Sequence, residues 1–217
     1  MHVAGRPSWR FEENDAGDLH AALFIRDASG LALFAAPDIP PPLLAAVERR
    51  HAFADSAAAA ADQWAAWWRR LVGFQAEEAQ PPHRLGRGED VHAWLRASAE
   101  RYTVVFDPPN FGSLALMPEL RLLAAETLAD GQQLDRREPR DPAGAFDYQV
   151  VRAAAEAAIA EFGVSAGEID GTVHVLDVQG AWSFLAGPGY ALCSSATAAD
   201  PLSAALLLRT VFASRLR

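Results

Sequence analysis

The sequence contains no lysine, although it contains nineteen arginines. A P-loop requires a lysine at the β- and γ-phosphates, and a protein kinase requires one on a strand. Pyridoxal-phosphate enzymes and Schiff-base aldolases require an amine nucleophile. The absence of lysine therefore excludes these classes of protein. Together with the abundance of alanine, glycine and proline, it is typical of a GC-rich coding sequence and identifies no function by itself.

Cysteine and long apolar segments are also scarce. Cys193 is the only cysteine, which excludes an internal disulfide and a cysteine-based zinc site. The first eleven residues lack the apolar region of a signal peptide, and no segment approaches the roughly 20 apolar residues of a membrane span. We therefore expect a cytoplasmic protein that does not enter a membrane.

The net charge of −9 limits the class of partner. Nucleic-acid affinity requires clustered basic residues, whereas this chain carries an excess of carboxylates, so we expect no nucleic-acid partner. A basic protein partner fits the charge better. The chain has 217 residues, of which 51% are hydrophobic, and this composition predicts a folded protein with a sizeable core.

The pattern of apolar residues predicts an α+β fold with a mainly antiparallel sheet and packed helices. The N-terminal part is predicted to contain a strand at 9–11, a hairpin of strands 20–25 and 31–35, helices over 43–50, 57–74 and 89–100, a strand over 102–106 and a helix over 118–128. The C-terminal part is predicted to have the order α-β-β-β-α. Its elements are a helix over 146–162, strands over 172–178, 182–185 and 190–194, and a helix over 202–216.

The polar segment 130–144 is the predicted linker. It separates an N-terminal α+β region, 1–129, from the C-terminal region, 145–217. One continuous domain is the alternative.

Asp107, Asn110 and Phe111 belong to the first candidate binding site. With two intervening prolines they resemble the Asp-Pro-Pro-aromatic loop of amino-methyltransferases, with the aromatic residue displaced by one position. The resemblance implies that a carboxylate and a backbone carbonyl hold a target amine. The glycine-rich cofactor loop of such a fold has no counterpart here. A rigid turn is therefore the favoured interpretation, and a ligand-binding loop is the alternative.

Trp64, Trp67 and Trp68 form the strongest local pattern. With Leu71, Val72 and Phe74 they fall within an arc of about 160° on one face of a predicted helix. Core packing is the favoured interpretation. The alternative is an aromatic groove for a ligand or peptide, because tryptophan is enriched where binding energy concentrates.

Cys193, His174 and Asp177 are the candidate catalytic residues of an enzyme. A Cys-His-Asp arrangement requires the thiol and the imidazole to lie within hydrogen-bonding distance. A buried, inert thiol is the favoured interpretation of a lone cysteine. The histidines show no metal-ligand spacing, so we expect neither a metal nor a cofactor.

The final helix is apolar on two sides. One side carries Leu202, Leu206, Phe212 and Leu216, and the opposite side carries Leu207, Leu208 and Val211. Such a helix is normally buried, so we expect cover from a second layer of this chain or from a second subunit, the latter giving a homodimer through this helix. Arg209 lies near the middle of the first side, where it must reach the edge or meet a carboxylate.

These observations favour a non-enzymatic binding or regulatory protein that acts through a protein partner. An acidic immunity- or inhibitor-like protein is one version of this hypothesis. The alternative is a small-molecule enzyme or ligand binder that uses the loop from Asp107 to Phe111 with His174 or Cys193.

Overall fold

The structure is a computed structural model that describes residues 8–14, 17–31, 36–51, 53, 56–79, 91–137 and 145–216. Backbone proximity divides the chain into two units. The first combines Met1–Asp15 with Pro139–Arg217, and the second is Ala16–Glu138. In chain order, the second unit is inserted between two parts of the first.

The first unit contains a mixed four-stranded sheet. Its strands are β1 (Arg10–Asn14), β2 (Asp170–Leu176), β3 (Ser183–Gly187) and β4 (Tyr190–Ser194), in the spatial order β1-β2-β4-β3. The β1–β2 and β2–β4 pairs are parallel, and only the hairpin β3–β4 is antiparallel. The α+β class is confirmed, and the sheet is mixed rather than mainly antiparallel. Parallel pairing requires a crossover connection, and five α-helices of the described residues lie between β1 and β2 in the chain.

The helices of the first unit are α5 (Tyr148–Phe162), α6 (Ser195–Ala199) and α7 (Pro201–Leu216), so the predicted order α-β-β-β-α is confirmed with one added short helix. Asp147 caps α5 through the backbone N–H of Gln149, and Asp200 accepts a hydrogen bond from the N–H of Ser203. Helices α5 and α7 pack on one face of the sheet around a core that includes Val173.

The second unit contains α1 (Gly17–Ala28), α2 (Ala57–Glu78), α3 (Val91–Val105) and α4 (Pro118–Arg137). The predicted helices over 57–74, 89–100 and 118–128 are confirmed in their described residues, and each extends further along the chain than predicted. Residues 130–137 of the predicted linker are helical, and residues 138–144 lie outside the described residues. The division into two regions at this segment stays a prediction.

The predicted strand over 20–25 is wrong, because these residues belong to α1. Seven residues of α1 from Leu19 to Ile25 are buried, so the segment shows no polar face from which a helical period could be read. Of the second predicted strand, residues 32–35 lie outside the described residues. Asp27 does not form a hairpin turn, because it lies in the last turn of α1. Its carboxylate accepts hydrogen bonds from Arg26 and from the backbone N–H of Leu43.

The predicted helix over 43–50 is also wrong, because the chain there has no regular secondary structure. Long-range hydrogen bonds hold this segment and the prolines that precede it instead. The buried guanidinium of Arg26 donates to the carbonyls of Pro40 and Pro41, and the N–H of Arg50 donates to the carbonyl of Ala28. These tertiary contacts override helix propensity.

The predicted strand over 102–106 is wrong, because α3 continues to Val105. The aromatic residues that suggested a strand instead face α2 with helical spacing. The ring centroids of Tyr102 and Phe74 are 5.8 Å apart, and those of Phe106 and Trp67 are 6.3 Å apart. Packing on α2 outweighs the β-propensity of the segment.

Candidate functional site

The tryptophans of α2 lie in the core of the second unit, where the core interpretation places them. Trp64, Trp67 and Trp68 are fully buried. Their indole N–H groups donate to the backbone carbonyls of Ala22, Val105 and Asp38 at 2.9, 2.9 and 2.8 Å. The buried indoles are therefore satisfied within the unit, and their faces are covered rather than open to a ligand.

The loop from Asp107 to Phe111 follows a helix rather than a strand. Phe111 is fully buried, 5.8 Å from the ring of Trp67. The Asp107 carboxylate accepts hydrogen bonds from the N–H of Gly112 at 3.2 Å and from the Asn110 amide at 3.4 Å. The Asp107 carboxylate thus stabilises the loop to which it belongs. Asp107 and Phe111 have φ angles of 42° and 46°, in the left-handed region.

Cys193 and His174 do not form a catalytic pair. Cys193 pairs with Val175 and His174 pairs with Leu192, so the two side chains point to opposite faces of the sheet. Nδ1 of His174 lies 2.9 Å from the hydroxyl of Tyr190. Burial, and secondarily the charge of Glu13, raises the pKa of the Cys193 thiol to about 12. The expected inert thiol is consistent with this environment.

Asp177 and its neighbours fasten the segment that leads into β3. The Ser195 hydroxyl donates to the Asp177 carboxylate. The backbone N–H of Trp182 donates to both Ser194 Oγ and Thr197 Oγ1, and Thr197 donates back to the Trp182 carbonyl. These bonds fix the start of β3 against α6.

Arg209 pairs with a carboxylate, which is one of the two outcomes expected for a charge at this position. Its guanidinium lies 2.8 Å from Glu161 of α5, and its side chain is 60% exposed. Leu207, Leu208, Val211 and Phe212 are buried, whereas Leu202 and Leu206 are 73% and 62% exposed. This chain therefore covers α7 on the sides that face the sheet and α5, and leaves the two leucines uncovered.

A groove of about 350 Å³ lies between β3 and α7. Its lining includes Trp182, Leu185, Leu206 and Leu207, and no ionisable side chain of the described residues contributes to it. Leu202 lies one helical turn before Leu206 and extends the apolar surface. We refer to this site as the β3–α7 groove.

The backbone of β3 faces outward along this groove. The N–H of Ser194 donates to the Trp182 carbonyl at 2.8 Å, so these two residues stand at a hydrogen-bonding position of the antiparallel ladder. Bonded pairs alternate along an antiparallel ladder, which makes Phe184 the next bonded residue of β3. The N–H and C=O groups of Ser183 and Leu185 therefore point away from β4. Within the described residues, β3 is the last strand on that side.

The two edges of the sheet differ in charge. The outer strand β1 carries Arg10, Glu12 and Glu13, whereas β3 has the uncharged sequence Ser-Phe-Leu-Ala-Gly. Charged residues on an edge strand prevent pairing with another chain. The charges that protect β1 are thus missing from β3.

A second groove, of about 570 Å³, lies between α2 and α3. Val104 is 73% exposed there, beside Arg70, Glu77 and Arg101. Arg101 forms an ion pair with Glu78 at 2.7 Å. Charged side chains line this groove, in contrast to the β3–α7 groove.

Neither a metal cluster nor a spanning helix occurs among the residues that the structure describes. No group of three potential metal ligands is present in them, and no helix there is long and apolar enough to cross a membrane. Comparisons of the chain with protein-family models, curated proteins and solved structures found no match in any of the three.

The β3–α7 groove was not predicted from the sequence, although one signal for it is present. Residues 178–199 contain no charged side chain in a protein of which 22% is charged. This uncharged segment includes all of β3 and β4. Burial explains the absence of charge in β4, but it does not explain it in β3, where Ser183 and Leu185 are exposed.

Proposed function

We propose that this protein is a non-enzymatic binding or regulatory protein that acts through a protein partner. The β3–α7 groove is the observation that carries the proposal. It combines outward backbone groups at the end of a sheet with apolar side chains on both sides. Extended segments bind to such edges by adding a strand, and pockets for alternate side chains provide specificity.

The lining of this groove supports binding rather than proton transfer. General acid–base catalysis requires an ionisable group within hydrogen-bonding distance of the reacting atoms. The described lining offers hydroxyl, indole and aliphatic groups instead. These groups provide shape, apolar area and hydrogen bonds to a bound chain.

The net charge of −9 favours a basic protein partner, as for an immunity- or inhibitor-like protein. Opposite charge would accelerate association and make it sensitive to salt. The reducing cytoplasm is the proposed setting, because a single cysteine needs no disulfide partner there. A homodimer through the C-terminal helix is part of the same proposal, and the exposed Leu202 and Leu206 support it.

Affinity purification from the native host tests this function. We would compare the wild-type chain with Leu206→Glu in the groove and with Leu122→Glu on α4 as a matched control, since these leucines are 62% and 60% exposed. A protein should copurify in a fixed ratio with the wild type and the control, and its yield should fall at least about tenfold with Leu206→Glu. A basic partner should also be released by high salt. A retained metabolite without a stoichiometric protein would contradict the proposal.

A ligand-binding loop is the second candidate function, and the backbone of residues 107–111 favours it. Strained non-glycine residues cluster at functional sites, and both Asp107 and Phe111 have positive φ angles. The loop follows α3, which lines the α2–α3 groove. If this candidate is correct, Asp107→Ala should abolish retention of a metabolite and leave any protein partner bound.

A further inference from the structure

We propose that the occupant of the β3–α7 groove is a second copy of this chain, which adds its own β3 in antiparallel orientation and continues the sheet across a twofold axis. The inference rests on the proposed function, because it names the partner of the same groove. It adds a mode of pairing to the expected contact through the C-terminal helix.

The outward backbone groups of β3 are self-complementary. Ser183 and Leu185 both present an N–H and a C=O away from β4. When two such strands run antiparallel about an axis at Phe184, Ser183 of each copy lies opposite Leu185 of the other. That register forms four backbone hydrogen bonds between copies. The interface is isologous, so it closes as a dimer and leaves no further free edge at this site.

Helix α7 contributes to the same interface. Leu185, Leu206 and Leu207 line one groove, so α7 lies on the face of the sheet that carries the Leu185 side chain. A twofold axis perpendicular to the sheet keeps both copies of α7 on one face. The exposed Leu202 and Leu206 of the two copies then cover each other across the axis.

Charge favours a second copy over a basic partner at this site. A basic partner gains from carboxylates, and no carboxylate of the described residues lines the groove. The nearby Arg209 is already paired with Glu161. Two copies of a chain with a net charge of −9 repel each other, and an uncharged surface allows them to meet without opposed like charges.

The salt dependence distinguishes these two occupants. Screening weakens the repulsion between two acidic copies, so self-association should strengthen as salt increases. Binding of a basic partner should weaken under the same conditions. We expect the dissociation constant of the dimer to decrease as the salt concentration rises from about 0.05 to about 0.5 M.

Light scattering and sedimentation of the purified full-length chain, from about 1 to about 100 μM, test the dimer. The wild type and Leu122→Glu should have twice the 23.3 kDa mass of the chain. Leu206→Glu and Ser183→Arg should each raise the dissociation constant at least about tenfold, with unchanged circular dichroism and melting of the monomer. The two substitutions lie in different elements, so if one variant misfolds the other still tests the dimer.

A wild-type monomer at about 100 μM would overturn the inference, as would a dimer that both groove substitutions leave intact or one that weakens with added salt. Failure of the self-pairing can be distinguished from failure of the proposed function. A monomer whose native protein partner still depends on Leu206 would retain the function and reject the self-pairing. A monomer without such a partner would reject both the proposed function and the self-pairing.

Discussion

Single buried side chains fasten backbone segments that lie outside regular secondary structure. The indole of Trp68 holds the carbonyl of Asp38, and the guanidinium of Arg26 holds the carbonyls of Pro40 and Pro41. Arg26 also lies 5.6 Å from the centroid of the Trp64 ring. A hydrogen bond to a buried carbonyl matters most when it is removed, because the carbonyl then stays buried without a donor.

Trp67→Ala should destabilise the second unit by about 3 to 5 kcal/mol. The substitution removes a fully buried side chain and the indole bond to the Val105 carbonyl. Chemical denaturation monitored by circular dichroism measures the loss. Trp94→Ala on α3, where the indole is only partly buried, is the control and should cost less. An unchanged melting temperature in Trp67→Ala would reject the core interpretation and support the aromatic groove.

Cys193 should react slowly with thiol reagents in the native protein, because it is fully buried and its thiol is protonated at neutral pH. Cys193→Ser should lower the free energy of unfolding by roughly 1 to 2 kcal/mol, since a hydroxyl replaces a thiol in an apolar core. Labelling rates with and without denaturant provide the measurement. Rapid labelling of folded protein would show that the thiol is accessible.

Among the structural elements, the β3–β4 hairpin is anchored to the end of α7 by a buried charge. The Arg215 side chain is 3% exposed, and its Nη2 lies 3.3 Å from the carboxylate of Asp170. Gly189, in the hairpin turn, has a φ of 71° and lies against this arginine. A β-carbon at position 189 would lie 2.7 Å from the guanidinium. The turn and the ion pair therefore depend on each other.

Comparison of Gly189→Ala with Gly180→Ala separates the cost of backbone strain from the loss of the ion pair between Arg215 and Asp170. Both glycines have φ near 70°, but a β-carbon at Gly180 would contact nothing within 4 Å. Gly180→Ala should cost about 1 to 2 kcal/mol from backbone strain alone. Gly189→Ala should cost roughly 2 kcal/mol or more beyond that, because Arg215 must leave Asp170. Equal losses in thermal or chemical unfolding would show that the arginine moves freely.

Helices with clear termination signals were predictable from the sequence, and elements set by tertiary contacts were not. The predicted helix over 146–162 is confirmed because Asp147 and Gly163 mark its ends locally. Helix α1 is buried on nearly all sides, so its composition resembles that of a buried strand. The end of α3 contains β-branched residues and stays helical through contacts with α2, which single-sequence patterns do not reveal.

At the scale of the whole molecule, charge is distributed unevenly along the sequence. The chain carries a net charge of −9, whereas the segment 178–199 carries none. Because the final helix is apolar on two sides, the sequence predicted that it would be covered. It did not predict which side this chain covers. Burial of Leu207 and Val211 and exposure of Leu202 and Leu206 settle that point. The groove itself depends on the position of β3 beside α7, which local patterns cannot supply.

Stability should decrease at alkaline pH because buried acids keep their protons in the folded state. Burial raises the pKa of Cys193 from its usual 9.0 to about 12 and raises the pKa of Tyr190 in the same direction. The contribution of the thiol is fully present below pH 9.0 and is lost as the pH rises toward 12. The free energy of unfolding should fall across this range, and less steeply in Cys193→Ala. An identical slope in that variant would exclude the thiol as a contributor.

Residue-resolved hydrogen exchange of β3 tests the binding function of the groove most directly. In dilute protein, the outward amides of Ser183 and Leu185 should exchange at least about tenfold faster than the inward amide of Phe184. The groove is occupied in concentrated protein or in the partner complex. The two outward amides should then exchange more slowly, whereas the exchange rate of the Phe184 amide should not change. Outward amides that still exchange rapidly in the associated state would contradict strand addition at β3.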